Sequence, residues 1–273
     1  MSDIVLSAGV RSNLLQLQQT SDLITQTQNR LATGKKVNSA LDNAINFFTA
    51  QGLDTRANNL NSLLDSMSNG INTIQAANNG ITSITKLVQS AQALVSQAQQ
   101  ANNTTTQAAL STQFNSLLAQ IGQLAGDSGF NGVNLLAGNT LTVTMNETAT
   151  STVSVTGVNY TNANNSPLSI ANAANNWAGA SDITAASTAL SAALTSLQSE
   201  SQTLSSSLST VQIRQDFTKA MGNTLQSGSA NLTLADSNAE GANLLALQTR
   251  QQLSSTALSL AAQADQNVLR LFR

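Results

Sequence analysis

Apolar residues recur every three or four positions along most of this chain, a spacing that predicts long amphipathic helices. Residues 242–273 carry such an apolar face up to the last turn, and residues 1–33 show the same spacing. An apolar stripe at a chain end needs a partner, so we expect the two ends to pair as a coiled coil. The positions assigned to this assembly seam are Leu14, Leu17, Ile24, Leu31, Leu253, Ala257, Leu260, Ala264, Val268 and Leu271. The periodicity is equally compatible with two separate amphipathic core helices of an ordinary bundle.

The longest periodic stretch covers residues 60–98, where the apolar steps of three and four approach a heptad seam. As one helix it would be about 58 Å long at 1.5 Å per residue. A turn at 102–106 precedes a shorter helix that we expect to fold back on the long one. The helical pattern returns at Asp182 and continues to about residue 225, and we expect the Ser-Gly-Ser sequence at 227–229 to end it.

The segment 34–58 mixes short polar and apolar pieces, so we interpret it as a connector that is only partly helical. Two short motifs are typical of helix starts. Ser39 with Asp42, and Thr104 with Gln107, have the spacing of a capping box, in which the side chain of each residue accepts from the backbone amide of the other. We therefore predict that new helical segments begin at Ser39 and at Thr104.

Residues 130–180 have a different character from the rest of the chain. Thr140–Met145 alternates polar and apolar residues, and valines at 153, 155 and 158 indicate further short strands. The predicted fold is mainly α, with long antiparallel helices, a terminal coiled coil and a small β-containing insertion at the far tip. The predicted domains are an inner one of residues 1–40 and 232–273, an outer one of 41–136 and 182–231, and a surface insertion of 137–181.

Composition narrows the possible functions. Charged residues make up 9% of the 273 residues and the formal net charge is −2, so the chain lacks the basic footprint that binds nucleic acid or an anionic membrane. The sequence has no His and no Cys, which excludes the metal sites and catalytic systems built on them. We predict no enzymatic activity, no cofactor and no metal. No apolar run approaches the ~18 residues of a membrane span, and we expect no cleaved secretory signal.

Three separated segments resemble bacterial flagellin, the subunit of the flagellar filament. Residues 28–44 are similar to the most recognisable segment of that family, and residues 130–136 are similar to the turn before its variable region. The residues from 236 to the end follow the family's ending. The resemblance covers roughly residues 1–136 and 182–273. The matching positions that we assign to the family motif are Arg30, Gly34, Asn38, Ser39, Asp42, Asn131, Gly132, Asp236 and Glu240.

The resemblance implies a structural subunit that polymerises with copies of itself into a helical, extracellular filament for motility. It implies type III export through the flagellar apparatus without a cleaved signal, and contacts with an export chaperone and with the filament cap and junction proteins. It also implies that the terminal helices pair as an inner coiled coil. No nucleic acid or membrane is expected as a partner. The alternatives are a hook–filament junction protein, which shares similar ends, and a secreted adhesin that uses the 137–181 insertion.

Overall fold

The computed structural model describes residues 8–165 and 167–271, with the exception of the side chains of residues 265 and 268–271. It confirms the mainly α fold with a small β-containing insertion. The elements are α1 (Ala8–Thr33), α2 (Ala44–Gln100), α3 (Thr104–Asp127), β1 (Thr140–Thr144), β2 (Thr152–Thr156), a short 3₁₀ helix (Ala174–Trp177), α4 (Ala180–Thr233) and α5 (Ser237–Leu271).

The chain forms two compact units. The terminal unit comprises the described residues up to Thr55 together with those from Thr224 onward, and the central unit comprises Arg56–Asn223. Helices α2 and α4 each contribute residues to both units. The terminal unit thus contains all of α1 and α5, whereas the central unit contains α3 and the β strands.

Regular heptad spacing builds the core of the central unit. Steps of seven along α2 and α4 place apolar side chains on one face of each helix, and these faces meet those of α3 in a single hydrophobic core. The buried series are Met67, Ile74, Ile81, Val88 and Val95 on α2, and Ile183, Leu190, Leu197, Leu204 and Val211 on α4. The Gln215 side-chain amide of α4 donates to Ser68 Oγ of α2 at 2.8 Å.

The β insertion belongs to this same core. Strands β1 and β2 pair in antiparallel register, with Val143 opposite Val153 and Thr142 opposite Ser154. Val143 and Val155 are buried among the helix side chains, whereas the intervening hydroxyl residues face away from the core. A Cβ at Gly70 of α2 would lie only 2.6 Å from a Val143 methyl group, so the glycine permits the close approach of the hairpin.

Two predicted boundaries were wrong. Residues 34–58 are partly helical, as predicted, but the long helix starts well before residue 60. Helix α2 begins at Ala44, where Asn43 Oδ1 accepts from the Asn46 amide at 3.0 Å. The Ser-Gly-Ser sequence at 227–229 does not end α4. Ser229 is buried, so packing holds the helix through a glycine that costs only about 1 kcal/mol.

The predicted helix start at Thr104 is confirmed, because α3 begins there, but neither predicted capping box caps a helix. The N-cap of α3 is Asn103, whose side chain accepts from the Thr105 amide at 2.8 Å, and Thr104 is already helical. Gln107 donates instead to the Ala101 carbonyl at 2.9 Å and so binds the end of the preceding helix. Ser39 and Asp42 close a turn of their own and do not start a helix.

Many hydroxyl side chains on the helices are satisfied by the helix that carries them. Many Ser and Thr hydroxyls donate to the carbonyl four residues earlier, for example from Thr85 to Ile81 at 2.8 Å and from Thr256 to Gln252 at 3.0 Å. The same bond occurs along α1, α2, α3, α4 and α5. The helix surfaces are therefore polar in composition, but many of their hydroxyl protons are already bound.

Candidate functional site

The segment that links α1 to α2 pairs with the segment that links α4 to α5. Gly34 adopts a left-handed backbone with φ of 68°, a conformation that glycine adopts without steric cost. Its carbonyl accepts from the Ala235 amide at 2.9 Å, and the Lys36 amide donates to the Thr233 carbonyl at 2.7 Å. We call this pairing of residues 34–37 with residues 233–235 the joint. The joint holds the end of α1 beside the start of α5, so the two terminal helices run antiparallel.

An ion pair joins the same two helix ends. Arg30 Nη1 of α1 lies 3.3 Å from Glu240 Oε1 of α5, and the two side chains are 31% and 12% exposed. Glu240 lies in the first turn of α5, where the helix dipole also favours a carboxylate. Asp236 begins that helix, because its Oδ1 accepts from the Asn238 amide at 2.9 Å.

Asp42 organises the turn after the joint. Its Oδ2 accepts from the Asn38 amide at 3.0 Å, from the Ser39 amide at 3.0 Å and from Ser39 Oγ at 3.2 Å. The backbone hydrogen bonds from Asn38 and Ser39 hold the pKa of the Asp42 carboxyl below its ordinary value. The Asn38 side-chain amide donates to Thr33 Oγ1 at 3.0 Å and to the Lys35 carbonyl at 3.3 Å, and so ties the turn to the end of α1.

Seven residues of the family motif therefore share one structural role. Gly34, Asn38, Ser39 and Asp42 shape the first link, and Asp236 in the second link caps the start of α5. Arg30 of α1 pairs with Glu240 of α5 beside them. The arrangement fixes two helix ends and the start of a third helix.

The motif residues Asn131 and Gly132 lie apart from this set, in the central unit. They form a tight turn with φ values of 48° and 80°, and the amides and carbonyls of Phe130 and Val133 bond each other at 2.9 and 3.0 Å. Positive φ at both central positions is typical of a type I′ turn, for which Asn-Gly is the preferred sequence.

Sequence reasoning missed Asn134, which follows that turn. Its side-chain amide donates to the Ala125 and Gly126 carbonyls at 2.8 Å each, and its Oδ1 accepts from the Leu136 amide at 2.9 Å. These bonds reach the carbonyls at the end of α3, where the helix lacks its own amides four residues further on. An Asn just beyond a glycine-rich helix end was the available signal.

The covered seam between α1 and α5 is only partly apolar. On α1 it buries Val10, Thr20, Ile24 and Thr27. The inward positions on α5 are half-buried: Leu244, Leu247, Gln251, Ser254, Leu258 and Ala261. Of the seam residues predicted on α1, Ile24 is buried and Leu17 is half-buried, whereas Leu14 and Leu31 are each 40% exposed.

A second apolar stripe on α5 is left uncovered. Leu253 and Leu260 are 67% and 62% exposed, and Ala257 and Ala264 lie exposed between and beyond them. At about 100° per residue, this α5 stripe is rotated by roughly 120° from the face that packs on α1. The predicted seam positions on α5 are thus not the ones that α1 covers. The side chains of Val268 and Leu271, the two other predicted positions, lie outside the described residues.

A further exposed apolar group lies at the start of α2, in the terminal unit. Leu41 is 98% exposed, and Ile45 and Phe48 follow it at helical spacing with 80% and 60% exposure. No role was predicted for these residues, although their steps of four and three match the spacing of the predicted seam.

Within the described ranges, the structure shows no group of three or more acidic side chains that could hold a metal ion. None of the described helices is long and apolar enough to cross a membrane. The described features of the terminal unit are the paired joint between helix ends and the exposed apolar side chains on α1, α5 and the start of α2.

Comparison with known proteins agrees with this geometry. The family model for the bacterial flagellin N-terminal helical region matches residues 8–140. The chain is 34% identical over 282 residues to flagellin FljK of Caulobacter vibrioides, an alignment that covers 100% of this chain and 99% of FljK. It is 29% identical over 286 residues to the flagellin of Brucella melitensis, with 100% of both chains covered. The chain therefore belongs to the bacterial flagellin family.

Proposed function

We propose that this chain is a structural subunit that polymerises with copies of itself into an extracellular flagellar filament for motility. The observation that carries the proposal is the uncovered α5 stripe. Residues of that stripe remain exposed although α1 already packs on the adjacent face of the same helix. Burying one leucine contributes about 1.5–3 kcal/mol before ordering costs, so a stripe of this length favours association.

The exposed side chains of α1 extend the same argument. Leu15 and Leu23 are 57% and 45% exposed, so α1 also presents apolar surface away from α5. Contiguous exposed apolar surface on a soluble chain marks a protein interaction site. The low charge of the chain supports self-association, because only 9% of its residues carry charge to repel another copy.

A pair of matched substitutions tests the α5 stripe. Leu260→Asp places a charge in the proposed interface, where an unpaired buried carboxylate costs several kcal/mol. Ser259→Asp adds the same charge to the same helix but on a third face, away from both the stripe and α1. We expect Leu260→Asp to abolish polymerisation of purified protein, measured by sedimentation and electron microscopy, and Ser259→Asp to retain it.

Wild-type polymerisation by Leu260→Asp would refute the role of the stripe. Loss of polymerisation in both variants would point to a general effect of added charge, and circular dichroism of each monomer checks that the helices remain. The abundance of the chain in sheared surface material separates a filament subunit, present in large excess, from a hook–filament junction protein.

The proposal includes the route of export. As the family resemblance implies, the chain leaves the cell through the flagellar type III apparatus with an export chaperone, loses no signal segment, and adds beneath the filament cap beyond the junction proteins. In a strain that lacks the export apparatus, we expect the chain to disappear from the medium while it remains in the cell. Continued secretion by that strain would contradict this route.

A further inference from the structure

The chain contains three Asn-Gly pairs in two different backbone settings. Residues 69–70 and 79–80 lie inside helix α2, whereas 131–132 form the tight turn between α3 and β1. An asparagine followed by glycine has a side-chain carbonyl next to an amide that no Cβ shields. Whether the two can react depends on whether that amide is free to move.

In the turn, both reacting groups are free. Among the residues that the structure describes, neither the Asn131 side chain nor the Gly132 amide makes a hydrogen bond. Both residues are exposed, and no atom outside the turn lies within 4 Å of a Cβ built on Gly132. The hydrogen bonds that close the turn belong to the flanking Phe130 and Val133.

We propose that Asn131 is a site of spontaneous deamidation. The Gly132 backbone nitrogen, after losing its proton to water or hydroxide, attacks the Asn131 side-chain carbonyl carbon. A new C–N bond closes a five-membered succinimide ring, the bond to the side-chain nitrogen breaks, and ammonia leaves with the proton. Water then opens the ring at one of its two carbonyl groups, which gives either aspartate or isoaspartate. No oxidant or reductant takes part.

The two helical pairs do not meet these conditions while α2 is folded. Gly70 and Gly80 are buried helical residues, and a Cβ on either would lie within 2.6 Å of a neighbouring side chain. Their amides donate to carbonyls of the preceding turn, so the nitrogen is bonded and held away from the side chain. Asn69 and Asn79 are themselves exposed, so side-chain exposure does not distinguish the three sites. The hydrogen bonding of the following glycine amide distinguishes them.

The two products have different structural consequences. Aspartate tolerates the left-handed φ of 48° and can keep the turn. Isoaspartate routes the main chain through the side-chain carbon and lengthens it, so the paired bonds between Phe130 and Val133 no longer close. Either product adds a negative charge to a chain whose formal net charge is −2. The modification thus changes both the turn and the surface charge at this position.

The full-length wild-type protein contains its own controls for the test. Folded protein is incubated in mildly alkaline buffer, and peptide mass spectrometry follows the gain of one mass unit at each of the three asparagines. We expect Asn131 to react at least about tenfold faster than Asn69 and Asn79, because attack in α2 first requires local opening of the helix. In denaturant, the three rates should converge.

Equal rates at the three sites in folded protein, or no product at Asn131, would overturn the proposal. Isoaspartate is identified by enzymatic methylation with an isoaspartyl methyltransferase. Gly132→Asn provides a second check, since Asn accepts a positive φ but its side chain shields the attacking amide. We expect that variant to slow the reaction at Asn131 and to leave the rates at Asn69 and Asn79 unchanged.

Discussion

The two units use the same heptad spacing and reach different degrees of burial. In the central unit, Met67, Ile74 and Ile84 of α2 are fully buried within one chain. In the terminal unit, none of the α5 side chains that the structure describes is buried, and two of the buried α1 positions are threonines. The comparison shows that periodicity predicts a helix, whereas the residues in the seam decide whether one chain can complete its own core.

Removing the same side chain from each unit gives the largest expected difference. Ile84 is completely buried in the central unit, and Ile24 lies in the seam between α1 and α5. We expect Ile84→Ala to lower the free energy of unfolding by about 2–5 kcal/mol. For Ile24→Ala we expect a smaller loss, about 1 kcal/mol, because half-exposed neighbours leave less contact to lose.

Urea denaturation measures both effects. Fluorescence of the single tryptophan, Trp177, reports the central unit, where it packs on Phe114 with ring centroids 4.9 Å apart, and circular dichroism reports all the helices. Equal losses of unfolding free energy in the two variants would show that α1 and α5 pack as well as the central core. The two units would then not differ in packing.

Two glycines of α2, one in each unit, differ in the space that an added methyl group would meet. A Cβ at Gly70 in the central unit would lie 2.6 Å from a rigid valine methyl group, whereas one at Gly52 in the terminal unit meets nothing within 4 Å. We expect Gly70→Ala to destabilise by about 1–3 kcal/mol through overpacking. Gly52→Ala should stabilise the monomer by about 0.5–1 kcal/mol, because alanine favours helix.

Thermal unfolding of the two variants beside the wild-type protein tests this pair. A stabilising Gly70→Ala would mean that the hairpin does not rest on α2 as closely as the structure shows. A destabilising Gly52→Ala would mean that the open side of α2 in the terminal unit is covered in solution.

The smallest effect concerns the pH dependence of the turn at Asp42. Its folded pKa lies below the ordinary value of 3.8, because the Asn38 and Ser39 amides bond the carboxylate. The stabilisation is therefore fully present above the unfolded pKa and is lost as the pH falls through the lowered folded pKa. Asp42→Asn should weaken the turn and remove this acid-dependent part.

Nuclear magnetic resonance titration of the Asp42 carboxyl group measures the shift directly. Asp54→Asn is the control for Asp42→Asn, because Asp54 makes no hydrogen bond or ion pair in the described part of the chain. A wild-type Asp42 that titrates at its ordinary value would show that the turn is open in solution.

Much of the fold could be predicted from the sequence, because long heptad runs leave few alternatives. The series from Leu60 to Ala98 indicated α2, and the alternation from Thr140 indicated β1. The Ser-Gly-Ser sequence at 227–229 predicted a helix end that does not occur, because the buried Ser229 continues the packed face of α4. The predicted capping boxes do not cap helices, because Asn43 and Asn103 accept from the first-turn amides of α2 and α3 instead.

The joint was harder to predict than the helices. The motif residues were found from the family resemblance, but that resemblance does not say that Arg30 meets Glu240 or that Gly34 meets Ala235. These contacts join residues about two hundred positions apart, and no local pattern reports them. Periodicity also does not say which of two apolar stripes on α5 faces α1, since both satisfy the same spacing.

The hydroxyls that donate within their own helix have a consequence for assembly in media of different salt content. A surface with few charges, on which many hydroxyls already donate within their own helix, gives up less hydration when another copy covers it. Cohesion between copies would then come from shape and apolar area and not from ion pairs that dissolved salt weakens. A polymer built this way should hold together equally well in fresh water and in brine.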